Sequence, residues 1–144
     1  LTAYLFDTSV LSATAPGKPP LPPNAAAWLL QQTGNLFVPA FALHELRRGI
    51  AKLDRSGATA KALTLMAWLQ GITTDYSAEI LPIDAAVALE AGLMEDAATA
   101  AGSHPGLADI LIAATAKANS LTLLTGNLRH FQPLGVPCLN PLTL

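Results

Sequence analysis

The sequence predicts an α/β fold built on a parallel sheet, and three observations carry that expectation. Short apolar runs, Tyr4-Leu5-Phe6, Leu36-Phe37-Val38 and Leu121-Thr122-Leu123-Leu124, each stop at a polar or turn residue, as buried parallel strands do. Segments of helical periodicity separate the runs, and such alternation argues for parallel pairing through crossovers. The chain has 144 residues, 51% of them hydrophobic and 12% charged, which suits a single domain over 1–144 with a sizeable core and argues against disorder.

The first run ends abruptly at Asp7-Thr8-Ser9. The proline-rich stretch from Ala15 to Pro23 suits neither helix nor central strand, and reads as a stiff surface loop, with a docking peptide as the remote alternative. Asn24 can cap a helix running through Ala25, Trp28 and Leu29 to Gly34. Leu36-Phe37-Val38 is closed by Pro39, which also suits the first turn of a helix carrying Phe41, Leu43, Glu45, Leu46 and Ile50. A further helix covers about Ala60 to Gln70, with Leu63, Met66, Ala67 and Gln70 on one face as core or dimer seam. Glu79 to Ile83 reads as a third strand, and Asp84 caps an alanine- and leucine-rich helix towards Gly102. After Ser103-His104-Pro105-Gly106 a helix begins near Leu107 and carries Asp109, Ile112, Ala113 and Ala116. Leu121 to Leu124 is the fourth strand; Thr125-Gly126-Asn127 and a short turn lead to Phe131. Val136 to Leu139 is a fifth strand, at a sheet edge where proline is tolerated.

Composition narrows the function. Mean hydropathy is positive, +0.41, yet no uninterrupted apolar run is long enough to span a membrane. So much apolar material with so few charges points instead to a buried oligomer or partner interface. The stretch Leu1 to Asp7 has no basic n-region and no small-residue cleavage site, so a cytoplasmic protein is expected. Cys138 is the single cysteine, which rules out an intramolecular disulfide and makes no case for a cysteine-based zinc site. Eight Lys and Arg against ten Asp and Glu, net charge −2, leave no global basic footprint for nucleic acid. That counts against a non-specific binder, but not against a nuclease that brings its own cations.

Three acids stand out. Asp7 follows the first apolar strand, where ligands of open α/β sheets collect, with Thr8 and Ser9 available to orient it; a helix N-cap for the segment at Val10 is an equal reading. Glu45 lies one turn into its helix beside the apolar pair Leu46 and Ile50, although surface pairing with Arg48 is slightly favoured when it is taken alone. Asp109 sits in the first turn of a very apolar helix, where it offsets the helix dipole, but where apolar surroundings make a free carboxylate costly. If these acids converge on one rim of the sheet, a hard divalent cation is the usual remedy for their repulsion, and it can activate water against a phosphate.

The order of motifs resembles the PIN-domain ribonucleases, especially the VapC-type toxins of toxin–antitoxin pairs. The matching pieces are Leu5-Phe6-Asp7-Thr8-Ser9-Val10-Leu11, Glu45-Leu46-Arg47-Arg48-Gly49-Ile50, Asp109 through Ala116, and Leu121 through Asn127. Phe131, Leu134-Gly135-Val136 and Asn140-Pro141 close the pattern, so the resemblance spans nearly the whole chain. It implies a PIN-like α/β/α sandwich with a central parallel sheet, and endonucleolytic cleavage of RNA with Mg²⁺ (or Mn²⁺) held by Asp7, Glu45 and Asp109. It implies further a homodimer, and a small antitoxin that wraps the toxin, blocks its site and makes the contacts with operator DNA. Thr125 and Asn127 match polar residues that line the site. The departures are His130, where many relatives carry a further acid, and Gly126, where an arginine or lysine often follows the threonine. Both bear on a second metal position; the three-acid core is intact.

The leading expectation is therefore a metal-dependent endoribonuclease toxin. In it Asp7 and Asp109 hold the metal, Glu45 is a further ligand or base, and Thr8, Thr125, Asn127 and His130 line the site. Arg47, Arg48, Arg129 and Lys117 are candidates for RNA phosphates, although each reads more often as a solvated surface charge. The second expectation, kept open by His130, is a weakly catalytic PIN-fold module acting mainly in an antitoxin complex on operator DNA. A phosphatase of the haloacid-dehalogenase type needs a second Asp two residues after the first, where this chain has Ser9.

Overall fold

The computed structural model describes residues 2–144. The chain runs β1 (Tyr4–Phe6), α1 (Thr8–Ser12), α2 (Pro23–Gln31), β2 (Leu36–Pro39), α3 (Ala40–Arg55), α4 (Thr59–Asp75), β3 (Ile80–Leu81), α5 (Ala85–Ala100), α6 (Leu107–Ala118), β4 (Thr122–Leu124), α7 (Leu128–Phe131) and β5 (Cys138–Leu139). The strands form one five-stranded sheet in the order β3-β2-β1-β4-β5, and every pairing is parallel. The chain builds outwards from β1 through β2 to β3, then returns to the other side of β1 with β4 and β5. The order therefore reverses between β1 and β4, the topological switch point at which open α/β sheets leave a crevice beyond their carboxyl ends.

Alternate residues along each strand feed opposite layers, as the period of two requires. Leu5 and Leu123 pack with Val87, Met94, Ile110 and Phe131 under α5 and α6. Phe6 and Leu124 pack with Val10, Leu11, Leu29 and Val38 on the other face. Helices thus cover both sides of a sheet whose strands are only two to four residues long, and the expected α/β/α sandwich is what the chain forms. A smaller cluster around Ile50, Ala62 and Leu69 joins α3 to α4.

Several element boundaries differ from the sequence expectation, and each has a local cause. Helix α2 starts at Pro23, one residue before the expected Asn24 cap, because proline presets the helical φ and lacks an N–H that the first turn could not pair. Pro39 ends β2 and lies in the extended N-cap conformation, so α3 begins one residue later than a proline in its first turn would require. The third strand shrinks to Ile80–Leu81 and the fifth to Cys138–Leu139, because Pro82 and Pro137 cannot donate to a ladder. Helix α4 extends to Asp75, and its expected stripe is largely solvent-facing: Leu63 is 75% exposed, while Ala62 and Leu69 turn inward onto α3. The Asp84 cap forms as expected, its Oδ1 accepting from the Val87 N–H at 2.9 Å. Among the described residues no helix is long and apolar enough to cross a membrane.

Candidate active site

Asp7 is the first residue beyond β1, at the switch point, and only 5% of it is exposed. Its N–H donates to the Leu124 carbonyl at 2.8 Å, which carries the β1–β4 pairing one step further and fixes the backbone beneath the carboxylate. Although Asp7 occupies the N-cap position of α1, its side chain makes no capping bond. Its Oδ2 accepts instead from the Ser9 hydroxyl at 2.7 Å and the Thr125 hydroxyl at 2.8 Å. Each hydroxyl is itself aligned by a backbone N–H: Gly126 donates to Ser9 Oγ at 3.2 Å, and Asn127 to Thr125 Oγ1 at 2.9 Å. The loop after β4 therefore holds the acid at the end of β1, and buried charge is tolerated because two oriented donors meet it.

Thr8 serves a different acid. Its hydroxyl donates to Glu45 Oε1 at 2.6 Å, tying the start of α1 to the second turn of α3. Asp109 lies in the first turn of α6, half-buried. Burial pushes its carboxyl above the usual range; the His130 imidazole pulls it back, and the neighbouring Asp7 charge pushes it up again. The Asp7 charge is thus near enough to act on Asp109. His130, exposed on α7, has its Nδ1 at 3.5 Å from Asp109 Oδ2.

The expected residues are thus partly assembled. Asp7, Asp109, Thr125, Ser9 and His130 converge beyond β1 and β4, with Glu45 attached through Thr8. Asp7, Glu45 and Asp109 do not close into one coordination shell: among the described residues no set of three acids, imidazoles or thiols is close enough to grip a cation together. Asn127 contributes its backbone N–H rather than its exposed side chain. Arg47, Arg48 and Arg129 are all exposed; Arg48 follows Glu45 by three residues and shares its side of α3, whereas Arg47 does not. Lys117 stands apart, with its ammonium 3.0 Å from Glu90 Oε1 and its position eight residues, about 12 Å, along α6 from Asp109. Burial, with the Asp7 charge adding to it, pushes the half-buried Cys138 thiol above its ordinary range.

The donor set fits a hard cation in one specific way. Mg²⁺ habitually takes one or two carboxylates and fills its remaining positions with water and substrate phosphate. Asp7 and Asp109 could supply that pair; burial is the main cause of the raised Asp109 carboxyl, with His130 opposing it and the Asp7 charge adding to it.

Known proteins bear on this geometry. The PIN-domain family model matches residues 4–133. Toxin FitB of Neisseria gonorrhoeae is 32% identical over 138 residues, covering 95% of this chain and 96% of the relative. The crystal structure of FitAcB from Neisseria gonorrhoeae superposes with a TM-score of 0.84 at 33% identity, over 98% of this chain and 99% of that one. DNA-bound VapBC from Salmonella typhimurium gives 0.83 over 98% and 99% of the two chains; at 22% identity it speaks for the fold alone. With the family model matched over most of its length and a full-length toxin relative beside it, this chain belongs to the PIN-domain family, whose general function is ribonuclease activity.

Proposed function

We propose that this chain is a divalent-metal-dependent endoribonuclease toxin that acts in the cytoplasm as one domain over 1–144. The observation that carries the reading is the buried Asp7 at the switch point, held by two hydroxyl donors and electrostatically coupled to Asp109. A Mg²⁺ (or Mn²⁺) ion bound by Asp7 and Asp109 would neutralise their charge and polarise a phosphodiester and its attacking water. Ser9 and Thr125 aim the Asp7 carboxylate through their hydroxyl donors. Glu45, steadied by Thr8 at one oxygen, serves as a further ligand or as the group that takes a proton from water. Arg48 and Arg129 hold RNA phosphates on either side.

The partner reading rests on surface chemistry. A groove of ≈ 860 Å³ between α2 and α4 is lined by Leu29, Leu30, Ile72 and Tyr76, bears Asp75 and Glu79, and has no lysine or arginine in its lining. An amphipathic segment with basic residues, from a small antitoxin, fits it. The chain's net charge of −2 leaves operator DNA to that partner. Leu89 and Leu93, 77% and 66% exposed one turn apart on α5, are the face proposed for the homodimer.

Purified protein should cut single-stranded RNA in magnesium, stop with chelator, and leave ends that sequencing of the fragments will identify. A protein that leaves RNA intact with both metals overturns the reading. His130 beside Asp109, in place of a further acid, favours the second reading, a weakly catalytic module acting through its antitoxin; slow cleavage with tight antitoxin binding would select it.

A further inference from the structure

A second cleft, of ≈ 510 Å³, opens directly from Thr8 and Glu45 and runs between α3 and α4. Its size is that of a small-ligand site. Leu46, Ile50, Leu53 and Leu65 form apolar walls, and Trp68 is the one aromatic side chain in its lining. Two exposed lysines line it from different elements: Lys18 on the proline-rich loop and Lys61 in the first turn of α4. Glu45 is the one acid in the lining. Neither lysine is spent on an ion pair, since those among the described residues engage Lys117 and His130. The charge is opposite to that of the α2–α4 groove, whose lining has two acids and no cation.

An apolar slot with one aromatic side chain in its lining and two free ammonium groups is complementary to a strand that alternates flat bases with phosphates. We propose that this cleft is the nucleotide subsite next to the scissile bond. One base of single-stranded RNA enters between α3 and α4 towards Trp68, and Lys18 and Lys61 hold the phosphates that flank it. The inference rests on the ribonuclease reading and specifies where the substrate strand leaves the acids. Lys18 and Lys61 are positioning residues, so they act on substrate capture more than on the chemical step.

The test uses the full chain and a fluorescent single-stranded RNA. Binding is read by anisotropy in an Asp7→Asn background across a salt series, and cleavage is read in the native background. Each phosphate contact on single-stranded RNA contributes about 0.7 to the slope of log affinity against log salt, so Lys18→Gln with Lys61→Gln should lower the slope by about 1.4. The same pair should raise KM about tenfold with kcat held within about twofold, and Lys18→Arg with Lys61→Arg should restore the slope. In a Trp28→Phe protein, where Trp68 is the remaining tryptophan, RNA should quench the emission and inorganic phosphate should not. An unaltered slope and KM in the double glutamine variant, with normal cleavage, overturns the subsite while leaving the nuclease. Wild-type protein that neither binds nor cuts RNA overturns both.

Discussion

Thr125→Val isolates the bond between the two strand ends. Thr125 is fully buried, and its hydroxyl donates to Asp7 Oδ2 at 2.8 Å while accepting from the Asn127 N–H at 2.9 Å. Valine keeps the branched shape but cannot donate. Losing a hydrogen bond to a charged acceptor costs about 1.5–3 kcal/mol. The added methyl, in an apolar surround, returns roughly 0.8 kcal/mol. Asn127 is exposed, so water can take its orphaned N–H. The net loss is then about 1–2 kcal/mol, and a chain of this length should melt about 3–6 °C lower. Urea unfolding followed by far-ultraviolet dichroism measures it, with an unchanged slope showing that only stability moved. The decisive quantity is the coupling with Asp7→Asn in a double-mutant cycle, expected at about 1 kcal/mol or more. A coupling near zero would mean that Thr125 supports packing alone and that the network does not hold the acid.

Four further outcomes can be measured. Asp7→Asn and Asp109→Asn should each abolish RNA cleavage while keeping the native dichroism spectrum; wild-type rates in magnesium for either would remove the metal pair. Asp109 has a folded pKa above its ordinary 3.8, so it favours the native state while protonated, and that contribution is lost as pH rises through the folded value. Asp109→Asn should therefore remove the decline in metal-free stability between pH 3.8 and the folded value, as read by urea midpoints. His130→Asp places a carboxylate where an imidazole now stands 3.5 Å from Asp109, so calorimetric titration should show tighter magnesium binding; unaltered affinity would place residue 130 outside the metal's reach. Leu89→Glu with Leu93→Glu should turn a dimer into a monomer by light scattering, and a wild-type monomer at high concentration would refute the α5 interface.

Much of the fold was legible because local signals agreed with the global pattern. Tyr4–Phe6, Leu36 to Val38 and Leu121 to Leu124 read as strands, and they are the three central strands of the sheet. The Asp84 cap was legible because an N-cap acid acts within three residues. Four boundary errors fall where proline governs, at Pro23, Pro39, Pro82 and Pro137, while α4 runs on to Asp75 with no proline to stop it. The α4 stripe misled for another reason. Periodicity shows that a helix has faces, but α4 packs on α3 through Ala62 and Leu69, and the alanine-rich sequence around them offers several equivalent stripes.

The sequence by itself determined the parallel sense of the sheet and the helices that flank it, and motif order named three candidate acids, because strand runs and crossover spacing are properties of the chain. Only the tertiary structure decided how those acids relate. Asp7 and Thr125 lie 118 residues apart, and their bond exists because β1 and β4 pair in one register. Thr8 and Ser9 are neighbours, yet one turns to Glu45 and the other to Asp7, a division set by the first turn of α1. Lys18 and Lys61 drew no attention in the sequence, one inside a proline loop and the other on an ordinary helix. They line one cleft because the loop after α1 closes over the α3–α4 pair. Contacts between distant segments depend on where the backbone carries them, and a linear pattern holds no record of that distance.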